Sequence, residues 1–295
     1  MFRHSSLSVV GACLVLALLP AIAPAQEAAS PVAAVFHSQK LSEIDAAISL
    51  AVVERRCPGG VLWLEREGVP YHKAYGSRAL EPEREPMSED TIFDAASLTK
   101  VIATTPALMK LVEQGKVELE APVQRYIPEF AGSGKEAITV RQLLTHTSGL
   151  RPGIGLSPAF QGIQGAIARA CAERLPNPPG TIHRYSDINF ILLGEVISRA
   201  SGQRLEEFCA NEIYKPLGMV DTGYLPAASL RARLAPTERV GGEFLRGVVH
   251  DPTARMMGGV AGHAGLFTTA ADLARFSRML LKGGELDGIR VLSPE

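Results

Sequence analysis

Charge of one sign is what this sequence most plainly lacks. Its 30 Lys and Arg nearly match its 31 Asp and Glu, leaving a formal net charge of −1 over 295 residues. There is no basic run and no basic patch interleaved with aromatics, so nucleic acid is not expected as a partner. Cysteine is scarce too: 4 in all, with Cys13 in an N-terminal leader and Cys57, Cys171 and Cys209 far apart. An odd, widely spaced set builds no disulfide framework, and no C-x-x-C or His-rich spacing suggests a metal centre. One bridge stays open; buried single thiols are the simpler expectation. The chain also lacks G-x-G-x-x-G, a P-loop, G-x-S-x-G, H-E-x-x-H and any internal repeat. Those absences remove the nucleotide-binding, α/β-hydrolase and zincin readings.

What is present begins with a leader. Arg3 and His4 precede an apolar run from Leu7 to Leu19, and Ala23-Pro24-Ala25 offers small residues for cleavage before Gln26. Residues 1–25 therefore read as an export signal, which makes the protein periplasmic or secreted and confines any membrane contact to that segment. An uncleaved anchor is the competing reading, against which Pro20 and Pro24 stand. Val10-Gly11-Ala12-Cys13 resembles a lipoprotein cleavage box but precedes most of the apolar run instead of following it. Residues 26–40, rich in Ala, Ser, Pro and Gln, read as a flexible lead-in to a domain over 41–295.

Within that domain, apolar residues at helical spacing predict a helix from Leu41 to Arg56, closed by Cys57-Pro58-Gly59-Gly60. Val61–Glu65 and Val69–Tyr75 predict a hairpin turning at Glu67-Gly68, with Trp63 as its bulkiest residue. Further helices are expected from Ser97 to Gly115, Thr139 to Leu144, Ile163 to Arg174, Asn189 to Ser201, Leu205 to Ile213 and Ala271 to Leu281. Pro106 should kink or displace the first of these, because its ring clashes with the carbonyl of Ile102. Asp221 to Asp251 is weakly patterned and reads as irregular.

The chemistry concentrates in DAASLTKVIATTPALMKLVE, residues 94–113. Ser97 and Lys100 stand three apart at a helix start, so their side chains share one face. A serine hydroxyl needs a neighbour to take its proton, and a lysine can do so. The helix N-terminus adds N–H donors where negative charge would develop. One S-x-x-K is expected by chance in roughly this length of chain, so the pair gains weight only from its surroundings. His146 has no acid partner at local spacing and reads as structural. Tyr185, where a loop meets a helix start, is placed to present a polar tip; the competing reading is a packed tyrosine bonded to backbone.

Five ordered blocks supply those surroundings: Phe93–Lys100, Leu143–Leu150, Tyr185-Ser186-Asp187 with Asn189-Phe190 and Leu192-Leu193-Gly194, Pro216–Met219 and Gly265–Phe276. Together they resemble the serine β-lactamase and penicillin-binding-protein superfamily, specifically the class C β-lactamase-related group with its esterases and D-amino-acid peptidases. The resemblance implies an α/β (α+β) serine β-lactamase/transpeptidase-like fold, a mostly antiparallel sheet flanked by helices beside a helical region. It implies Ser97 as acylated nucleophile, Lys100 as activating partner and Tyr185 as second proton-transfer group. It implies a small-molecule or peptide substrate and no metal or organic cofactor; nothing fixes the oligomeric state.

Two departures from the family pattern matter. Asp187 stands where many relatives have an asparagine; it cannot donate an amide hydrogen bond and could pair with Lys100, which favours ester or peptide substrates over β-lactams. The family's third motif, a Lys-Thr-Gly or His-x-Gly strand, is matched in letters by His263-Ala264-Gly265, but the sequence after it resembles an earlier family segment, so it reads as a decoy. The true motif and the C-terminal strands that complete the sheet are then expected beyond Glu295. A non-catalytic module binding cell-wall peptide, or an inactive fragment, are the alternatives to an exported serine hydrolase.

Overall fold

The computed structural model describes Met1 and residues 31–294. Residues 2–30, which carry nearly all of the expected export signal and the first part of the lead-in, and Glu295 lie outside the described residues. The rest of the expected flexible lead-in is helical: α1 is Pro31–Val35 and α2 is Ser38–Val53. A proline suits the first helical position, where its missing N–H costs nothing, and α1 packs on the second strand of the hairpin that follows.

The expected hairpin is β1 (Gly59–Arg66) and β2 (Val69–Ala79), in register from Arg66↔Val69 to Gly59↔Gly76. Glu67 and Gly68 both take positive φ at its tip, the conformation whose twist matches the strands. Two strands alone are marginal, and this pair has help. A short β3 (Glu85–Pro86) extends the sheet. Asp45 of α2 accepts from the Tyr71 hydroxyl at 2.8 Å and pairs with Lys73 at 2.6 Å, pinning that helix across β2. The outer edge of β1 pairs with no strand among the described residues.

The chain then passes through β4 (Phe93–Asp94) into a 3-10 turn at Ala96–Leu98, a wide π-helical turn at Lys100–Thr104 and α3 (Thr105–Glu113). The wide turn is how the structure absorbs Pro106: with no N–H to give and a ring that would strike the preceding turn, the proline is accommodated by opening the helix just before it. Next come α4 (Val140–Leu144), α5 (Gly162–Ala172), α6 (Asp187–Ser201) and α7 (Leu205–Cys209). Thr139 and Gln142 form a reciprocal capping box on α4, and Gly202 ends α6 in a left-handed conformation that favours glycine.

Residues 188–197 of α6 are all buried, and α3, α4, α5 and α7 pack around this axis. The stretch expected to be irregular carries only β5 (Gly223–Tyr224), a 3-10 turn and a ribbon of β6 (Arg239–Val240) with β7 (Glu243–Phe244). After α8 (Pro252–Met256), β8 (Leu266–Thr268) lies antiparallel between β4 and β5. Finally α9 (Ala270–Leu281) covers β1, and β9 (Glu285–Leu286) pairs with β10 (Ile289–Arg290). Helices beside small antiparallel sheets are thus the architecture the resemblance implies. No helix among the described residues is long and apolar enough to cross a membrane.

Candidate active site

The site starts from the pairing of β4 with β8. Asp94 accepts from the Ala96 N–H at 2.8 Å with one carboxylate oxygen and from the His250 N–H at 2.7 Å with the other. Ala96 turns through a positive φ of 45°, and the chain enters its helix with Ser97 exposed at the tip. Along a helix start, side chains three apart lie on one face. Lys100 accordingly lies beneath Ser97, its Nζ donating to Ser97 Oγ at 3.0 Å.

Lys100 is only 3% exposed, and a buried ammonium needs partners. It has two beyond the serine: Nζ donates to the His263 carbonyl at 3.0 Å and forms an ion pair with Asp187 at 2.8 Å. Its Nζ also stands 4.8 Å from the centre of the Tyr185 ring and 5.7 Å from that of Phe190, within reach of cation–π attraction. The four residues singled out by sequence, Ser97, Lys100, Tyr185 and Asp187, therefore meet around one amine. Tyr185 is 47% exposed, so its ring lies at the surface beside that amine instead of filling the core.

His263-Ala264-Gly265 is not a strand on the β1–β2 sheet. It sits in the buried approach to β8, where the His263 ring is 1% exposed and meets Asp251 at 2.9 Å. Asp251 also caps α8 by accepting from the Ala254 N–H at 2.7 Å. Burial pushes its carboxyl up, but the hydrogen bond and charge of His263, the Ala254 N–H and Lys100 outweigh that and hold it below the ordinary carboxylate value. The segment reaches the site through backbone: Lys100 binds the His263 carbonyl, and Thr104 Oγ1 binds the Gly262 carbonyl at 2.6 Å. This close approach requires Gly262, where a Cβ would lie 2.1 Å from the Phe190 carbonyl.

His146 reaches the site as well, against the rear of Tyr185. Their ring centres are 4.5 Å apart, and its Nδ1 accepts from the Ser186 N–H at 3.1 Å. Burial first, then the charge of Lys100, pushes its imidazole below the ordinary value of about 6.5. Sequence reasoning missed the His263 carbonyl and Asp251 altogether, since a backbone acceptor leaves no side-chain signature and Asp251 is joined only through the fold. Among the described residues no group of three or more His, Cys, Asp or Glu is placed to hold a metal ion.

Comparison with known proteins fits this geometry. The family model described as Beta-lactamase matches residues 39–294. A protein of Escherichia coli (strain K12) provisionally named D-alanyl-D-alanine carboxypeptidase is 29% identical over 92% of this chain and 71% of its own length. The N-acetylmuramyl-L-alanine amidase of Bacillus subtilis (strain 168) is 33% identical over 86% of this chain and 66% of its own. Among solved structures, a class C beta-lactamase superposes with a TM-score of 0.71 at 26% identity, covering 83% of this chain and 65% of that one.

Proposed function

The chain belongs to the beta-lactamase family of serine hydrolases, and on that premise we propose that it is an exported acyl hydrolase with Ser97 as nucleophile and an ester or D-amino-acid peptide, before a β-lactam, as substrate. The observation that carries the reading is the 3.0 Å contact between the exposed Ser97 hydroxyl and the buried Lys100 amine. For this step Lys100 must first be the neutral amine, passing its proton to Asp187 across their 2.8 Å contact; as Ser97 Oγ then attacks the substrate carbonyl, its proton moves to the freed lone pair of Lys100 Nζ. The Lys100 and Tyr185 pair then returns a proton to the departing alcohol or amine.

The carbonyl oxygen becomes an oxyanion at the start of the helix, where the Ser97 N–H is the donor to be used, since Asp94 already holds the Ala96 N–H and the Ala95 carbonyl the Leu98 N–H. A covalent acyl-serine remains, and water releases it by the same steps in reverse order. Asp187 selects the substrate: a carboxylate accepts hydrogen bonds and donates none, so it suits a substrate N–H or O–H. The two named relatives support a peptide or amide, because both names place the cleaved bond beside an alanine. Export is supported by the apolar leader from Leu7 to Leu19.

The test is covalent labelling with a fluorescent penicillin and with a fluorophosphonate. Wild-type protein is expected to take at least one label and Ser97→Ala neither. A well-folded wild type that takes no label would be a binding module and not a hydrolase.

A further inference from the structure

Resting on that reading, we infer that His146 is a positioning residue for Tyr185, and that it works only as the neutral imidazole with its proton on Nε2.

Three contacts bracket Tyr185. The His146 carbonyl accepts from the Arg184 N–H at 2.8 Å, and its Nδ1 accepts from the Ser186 N–H at 3.1 Å. Between them its ring packs against the Tyr185 ring. One residue thus holds the backbone on either side of the tyrosine and the tyrosine itself. The clasp needs an unusual backbone: His146 has a φ of 57°, a conformation in which only glycine, asparagine and a few other residues are at ease. Strain of that kind persists where surrounding contacts over-determine it. Ser186 is the extended residue from which α6 begins, and its hydroxyl donates elsewhere, to the Arg151 carbonyl. The Nδ1 contact is therefore the one that fixes the Ser186 N–H.

The tautomer follows from the donor. A backbone N–H can only donate, so Nδ1 must present a lone pair and any ring proton must be on Nε2. Protonation at Nδ1 would replace the acceptor with a second donor and bring a positive charge towards Lys100. The titratable and charged groups facing this ring are Lys100 from the nucleophile's helix, His183 and Tyr185 from the preceding loop and Asp187 from α6. Burial, Lys100 and His183 oppose the charged form and Asp187 favours it; the balance keeps the ring neutral to below the ordinary imidazole value.

The experiment measures the rate of Ser97 acylation, by whichever of the two probes labels wild type, for His146→Ala and His146→Asn across the acid range. Asparagine tolerates the positive φ and offers an oxygen near the place of Nδ1, but does not titrate. His146→Ala is expected to slow acylation roughly 10- to 100-fold, the scale of a reacting group displaced by about 1 Å. His146→Asn is expected to restore most of that rate near neutrality and to lose the acid limb that wild type shows below the ordinary imidazole value. Wild-type rate in His146→Ala, no recovery in His146→Asn, or an acid limb unchanged in His146→Asn would each overturn the inference. Should His146→Ala not fold, the pH profile of His146→Asn decides alone. Absence of label from wild type would instead count against the hydrolase reading.

Discussion

Asp187 is the side chain on which substrate choice is proposed to turn. Its carboxylate is paired with Lys100 at 2.8 Å while the side chain stays one-third exposed. Asp187→Asn would add N–H donors and remove the ion pair. Loss of the pair affects every substrate, so the informative quantity is a ratio. Acylation by a penicillin relative to hydrolysis of a p-nitrophenyl ester is expected to rise roughly fivefold, the worth of about one hydrogen bond. An unchanged ratio would remove Asp187 from substrate selection. Ser97 and Lys100 were legible at this scale because the helix brings residues three apart together. Tyr185 and Asp187 were legible only as part of an ordered set of blocks. His146 was read as structural, and its contacts do hold backbone, but nothing local in the sequence says that the backbone held is that of Tyr185.

Elements turn those residues into a site, and α8 carries a testable part of the arrangement. Asp251 caps this helix and holds the His263 ring, whose own carbonyl receives Lys100. Its carboxyl titrates below the ordinary value in the folded protein, so the folded state binds its proton less readily than the unfolded chain. The resulting stability is fully present above the unfolded value, near 4, and is lost as pH falls through the lower folded value. Melting temperature is expected to drop further between about pH 6 and about pH 3 in wild type than in Asp251→Asn; equal drops would contradict that sign. Amphipathic helices and the hairpin were legible at this scale because their spacing and turn residues are local. The π-helical turn before Pro106 was foreseen only as a kink, since the ring's clash dictates that the helix must yield but not how. The helical character of residues 31–40 was missed because small and polar residues there resemble a linker until β2 gives them a surface.

On the scale of the molecule, the site lies where distant stretches converge: the helix at Ser97, the loop ending at Asp187 and the approach to β8. Convergence is tight because Gly262 abuts the backbone of α6 at Phe190 and Gly194, and such contacts are invisible to periodicity. The same central packing buries Cys209 completely, and burial pushes its thiol up to about 12. Thiolate is the reactive form, so a thiol reagent is expected to modify half-buried Cys57 and Cys171 in the native protein and Cys209 only as the molecule opens. Modification of Cys209 as fast as Cys57 would mean that this core is not closed around α6.

The central claim, that Ser97 carries the acyl group, is tested most directly by peptide mass mapping after reaction with a fluorophosphonate. The account predicts a single adduct on the peptide that contains Ser97, slowed by roughly 100-fold or more when Lys100 is replaced by methionine, the scale of a lost proton-transfer group. A folded protein bearing its adduct on another residue, or reacting at Ser97 equally well without the lysine, would contradict it.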